Sequence, residues 1–86
     1  MTKYIKSLLM IFLITNIIFG QDPELLLKDG QSMMKDGSIS EAESLFERAL
    51  QIDPTFAPAH VGLSECWLYK GDLNKANEHA IKAVQM

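Results

Sequence analysis

The chain has a single cysteine, Cys66, among its 86 residues, so no internal disulfide can staple it. It has no cluster of Lys or Arg: eight basic side chains are scattered among eleven acidic ones, for a net charge of −3. That balance argues against a nucleic-acid partner. No stretch alternates apolar and polar residues with a period of two, so strands are not expected. The two histidines, His60 and His79, fit neither an H-x-x-x-H nor an H-E-x-x-H spacing. There is no glycine-rich phosphate loop and no G-x-S-x-G. The longest apolar run, Ser7 to Phe19, is short of the roughly 20 residues that cross a bilayer, and Asn16 interrupts it. These absences point away from an enzyme, a metal centre and a cofactor.

What the N-terminus does contain is Lys3 and Lys6, then the apolar run, then Gly20. A basic start, an apolar stretch of about 7 to 15 residues and a small residue at its end describe a secretory signal peptide over residues 1–20. Ile18 stands where the cleavage pattern favours a small residue, so an uncleaved anchor through residues 8–19 stays open beside it. Both imply export, to a bacterial periplasm or cell surface. The apolar run contains no cysteine that could carry a lipid.

Four helices are expected after that segment. The first opens at Asp22-Pro23, an N-cap acid followed by proline at the first helical position, and stops at Gly37. Ser38 opens the second, where Glu41 three residues on would complete a capping box, and Asp53-Pro54 closes it. The third starts near Thr55 or Phe56, tolerates Pro58 in its first turn and runs to Gly71. Asp72 caps the fourth, whose apolar face uses Leu73, Ala76, Ala80, Ala83 and Val84. The links are short, which makes consecutive helices antiparallel neighbours.

The pattern then repeats. Gly37, Ala42, Ala49 and Gln51 recur 34 residues later as Gly71, Ala76, Ala83 and Gln85. A fixed period of this size is the mark of a solenoid in which each unit buries its apolar face against the next. The residues resemble the tetratricopeptide repeat. In the first unit Leu26, Gly30, Met33, Gly37, Ala42, Phe46, Ala49 and Pro54 match its pattern; in the second, Leu63, Ser64, Trp67, Gly71, Ala76, Ala80 and Ala83 do. The resemblance implies an all-α helix–turn–helix solenoid with two repeats, about 23–56 and 57–86, the second truncated. Gly30, Ser64, Ala42 and Ala76 would be small so that helices approach to about 8–10 Å, with Phe46 and Trp67 filling the space left. Ala49, Pro54, Ala80 and Ala83 complete the expected packing set. Asp29 departs from the pattern and is expected to stay solvated. Gly62 costs about 1 kcal/mol in a helix interior and reads either as room for close packing or as a weak spot.

The individual polar groups have ordinary explanations. His60 takes a packing position and is expected in the core or at its rim, while His79 is expected on the surface. Glu41, Glu43 and Glu47 form a solvated helix face. Cys66 behaves as a small buried hydrophobe, and Met33 and Met34 as fillers.

In proteins similar to this one, the first helix of each pair lines a concave groove that holds peptides. Carried over, that groove comprises Leu27, Gln31, Met34, Val61, Glu65, Leu68 and Tyr69. Its apolar members exceed what a solvated helix face needs, so they either grip a partner or are covered by a further helix. The Lys and Asn clamp with which some family members hold a C-terminal carboxylate is missing, since Leu27, Gln31 and Glu65 stand at its positions. The expectation is an exported adaptor for a protein or peptide, the front of a longer repeat protein. A self-associating scaffold and the leading part of an exported enzyme are the alternatives.

Overall fold

Asp22 starts the first helix as expected: its side chain accepts a hydrogen bond from the Glu24 N–H at 2.9 Å, with Pro23 just inside. The computed structural model describes residues 22–85, so the signal peptide expected over residues 1–20 lies outside the described residues. Within that span are α1 (Pro23–Lys35), α2 (Ile39–Ile52), α3 (Ala57–Lys70) and α4 (Leu73–Gln85). The described residues are an all-α array of two helical hairpins. α1 packs on α2, α2 on α3 and α3 on α4, with a smaller contact between α1 and α3.

The turns inside the two hairpins are built alike. The Ser38 N–H donates to the Met33 carbonyl at 2.8 Å and the Gly37 N–H to that of Met34 at 3.1 Å. The same pair of bonds recurs from Asp72 to Trp67 at 2.9 Å and from Gly71 to Leu68 at 3.1 Å. This is the Schellman closure, which needs a left-handed residue, and Gly37 and Gly71 supply it with φ of 81° and 85°. Asp72 then caps α4, accepting from the Lys75 N–H at 3.0 Å. Ser38 does not cap α2 in this way. Its backbone sits at ψ 69°, short of the extended range a cap adopts, and its side chain makes no capping bond, so the expected capping box is not formed. Between the hairpins, Asp53 ties the link by accepting from both the N–H (3.0 Å) and the hydroxyl (2.7 Å) of Thr55.

The core runs through Leu26, Leu27, Ala42, Phe46, Ala49, Ala59, Leu63 and Cys66. Phe46 is its centre, fully buried. Gly30 of α1 and Gly62 of α3 face its ring from two sides, leaving no space for a side chain at either position. The open question about Gly62 is thus resolved in favour of close packing. Across the second hairpin the small residue Ser64 also donates its hydroxyl to the Ala76 carbonyl at 2.8 Å. Trp67 is only half-buried: the ammonium groups of Lys70 and Lys75 lie 4.7 and 4.3 Å from its ring centroid. Pro54 and Ala80 are exposed and Ala83 is half-buried, so those members of the expected packing set meet little of the described chain.

Candidate functional site

With consecutive helices antiparallel, α1 and α3 run in the same direction and lie side by side. On α1 the positions Leu27, Gln31, Met34 and Lys35 are spaced i, i+4, i+7 and i+8, and on α3 Val61, Glu65, Leu68 and Tyr69 repeat that spacing. Each set therefore forms one stripe of its helix.

Gln31, Met34 and Lys35 of α1 and Glu65 and Tyr69 of α3 enclose a shallow cavity of about 340 Å³. Four of the seven groove residues expected from the sequence, Gln31, Met34, Glu65 and Tyr69, thus meet at one place. Val61 and Leu68 extend the α3 stripe beyond the cavity and are about half exposed, while Tyr69 is 73 % exposed. Leu27 differs: it is only 9 % exposed and belongs to the core cluster, so it offers the groove little. It packs inward beside Leu26, against the core.

The floor of the cavity is soft and unreactive. The Met34 sulfur lies 3.5 Å from the Cys66 thiol, which is fully buried. Burial, then the Glu43 carboxylate, pushes that thiol up to about 11, with Lys70 pulling the other way. At neutral pH it stays protonated and is no nucleophile. The walls carry one charge of each sign, Lys35 on α1 and Glu65 on α3, with the Tyr69 ring beside them. Such a surface can take an apolar side chain against Met34 and Tyr69 and pair polar atoms at its rim. Glu43 of α2 forms an ion pair with Lys70.

A second opening, about 450 Å³, lies on the far side of the array and is lined by Asn77, Ala80, Ile81, Val84 and Gln85. Ile81 is 56 % and Val84 85 % exposed there, so α4 presents an apolar face that nothing described covers.

One of the two histidines departs from expectation. His60 is buried as anticipated, but His79 is half-buried rather than on the surface, and the two Nδ1 atoms are 3.2 Å apart. Motif spacing does not reveal this pair, because it forms across a hairpin. The signal was the turn itself: the Ser64–Ala76 and His60–His79 contacts are nested about nearly the same point, close to Lys70. Among the described residues no group of three or more His, Cys, Asp or Glu side chains is placed to hold a metal ion. No described helix is long and apolar enough to cross a membrane.

Short-linked antiparallel hairpins, two left-handed glycines 34 residues apart and a two-helix groove define a helical-repeat array. The tetratricopeptide repeat family matches residues 33–83, more than half of the chain, and the chain belongs to that family. It is 35 % identical over 69 residues to a TPR repeat-containing protein, YsoA, of Bacillus subtilis (strain 168). The match takes in 80 % of this chain and 21 % of the relative, so the chain spans about a fifth of that protein's length. Repeats of this family generally mediate protein–protein interactions.

Proposed function

We propose that this chain is a non-enzymatic adaptor that binds a protein segment along the stripes of α1 and α3. The observation that carries the reading is the cavity in which Gln31, Met34, Lys35, Glu65 and Tyr69 converge from two helices. Exposed Val61, Leu68 and Tyr69 continue it as an apolar track, more apolar than a solvated face requires. Its ligand carries an apolar side chain for the Met34–Tyr69 floor. The absence of the Lys and Asn clamp directs the reading away from free C-terminal carboxylates.

A photo-crosslinking residue at position 69, with the same residue at Asn74 as control, tests this in the native host. Crosslinks to another protein from position 69 alone, lost in Leu68→Glu, support the groove. Equal capture from both positions overturns it.

The basic, then apolar N-terminus favours export, with Met1 to Gly20 removed or kept as an anchor. N-terminal sequencing of the protein from an envelope fraction tests this; recovery of the intact chain from the cytoplasm alone would contradict it.

The apolar face of α4 favours a second reading, self-association. Sedimentation of the full chain would show a concentration-dependent dimer that Ile81→Glu dissolves, whereas a monomer at high concentration excludes it.

A further inference from the structure

The His60–His79 contact takes no part in the groove and joins α3 to α4. The ring planes are 26° apart, the centroids 5.4 Å apart and the Nδ1 atoms 3.2 Å apart. The two nitrogens therefore lie on the facing edges of rings in nearly parallel planes. A contact of this kind is a hydrogen bond only when one Nδ1 carries a proton and the other offers its lone pair. One proton completes it. A proton on the second Nδ1 would set two N–H groups head to head and make that ring a cation.

The rest of α4 gives this contact weight. Ala76 is the one buried residue of that helix, near its N-terminal end. Beyond it, only His79 and Ala83 are even half-buried. In the helix's C-terminal half, His79 and Ala83 are thus the residues that pack against the rest of the chain.

We propose that the His60–His79 pair is an acid-sensitive latch across the α3–α4 hairpin, closed by one shared proton and opened when acid protonates both Nδ1 atoms. The groups around it set its bias. Burial first, then the partner ring and Lys82 of α4, holds His60 below the ordinary imidazole value of 6.5, against the Pro54 carbonyl from the α2–α3 link. Burial and Lys82 lower His79 likewise, against Glu78 of α4 and Glu47 and Glu43 of α2. Both rings take up protons less readily folded than unfolded. Their contribution to stability is therefore complete above pH 6.5 and is lost as the pH falls below it. The limit is about tenfold in the unfolding constant per pH unit for each proton.

The test uses the full chain between pH 7.5 and 5.5, above the range in which exposed carboxylates titrate. Nuclear magnetic resonance would follow the two imidazoles, and urea unfolding would be read from Trp67 fluorescence. Both rings should reach half-protonation below 6.5, and the unfolding constant should rise over this interval, by no more than about a hundredfold for the two protons. Amide exchange in residues 80–85, corrected for its intrinsic pH dependence, should accelerate relative to α2. His79→Gln should flatten the acid response to within about threefold. Either ring titrating at or above 6.5 in the unmodified chain overturns the latch without recourse to a variant. So does an acid response that His79→Gln leaves intact.

Discussion

Phe46 packs its ring against the backbone of Gly62: a Cβ at that glycine would lie 2.7 Å from the ring's Cζ. On another side of the ring, a Cβ at Gly30 would come within 2.5 Å of Cε1. One phenylalanine from α2 is thus enclosed by bare backbone from α1 and α3, and the three helices are keyed together at that point. The closeness offsets the helix-interior cost of glycine at Gly62, about 1 kcal/mol.

Gly62→Ala is therefore expected to destabilise the chain despite its better helix propensity. The new methyl has no room beside a fully buried ring, and overpacking of this kind costs about 1–3 kcal/mol. A lower urea midpoint is the expected outcome, with part of the loss recovered in Gly62→Ala/Phe46→Leu. A raised midpoint for Gly62→Ala alone would show that the ring yields easily.

Gly71→Ala isolates backbone strain, since a Cβ there meets nothing within 4 Å. With φ at 85°, the substitution should cost about 1 kcal/mol, seen as a lower thermal midpoint. Gly71→Asn should cost less, because Asn tolerates the left-handed region better. Equal losses for the two would point to a cause other than φ.

Lys75→Ala removes the nearer of the two ammonium groups over Trp67. A loss of about 0.5–1 kcal/mol is expected, as for a cation–π contact at an exposed site. Because Trp67 is the sole tryptophan, its emission reports the change directly. An unaltered emission maximum together with unaltered stability would count against the contact.

Cys66 should be nearly inert to iodoacetamide in the folded chain at pH 8 and react at an ordinary rate in urea. Its thiol is raised from 9.0 to about 11, so the unfolded chain loses this proton first as the pH rises. The thiol's contribution to stability is accordingly complete below pH 9 and declines between 9 and 11. Fast alkylation without denaturant would contradict the burial.

The hairpin boundaries were legible because Gly37, Gly71, Asp22, Asp72 and the Asp53-Pro54 step act locally, through φ, capping and a missing N–H. The groove stripes were legible through the family resemblance, which assigns Gln31, Met34, Glu65 and Tyr69 to one face, and helical spacing agrees with it. Other features depend on what a second helix brings. Leu27 reads as a groove residue from that resemblance, yet packs into the core beside Leu26. Ser38 has the right side chain for a cap but the wrong ψ. His79 looks like a polar surface residue until α3 sets His60 opposite it, and Gly62 is explained only by the Phe46 ring, sixteen residues earlier on α2.

On α3, Leu63 and Cys66 point into the core while Val61, Glu65 and Tyr69 point out, so the proposed recognition surface and the folding core occupy separate faces of one helix. Mutational drift can rewrite the outward residues and retarget the groove while the scaffold persists unchanged. Met34 is the exception. Its sulfur touches buried Cys66 while its side chain lines the cavity, so at that position alone a new specificity would have to be negotiated with the stability of the fold.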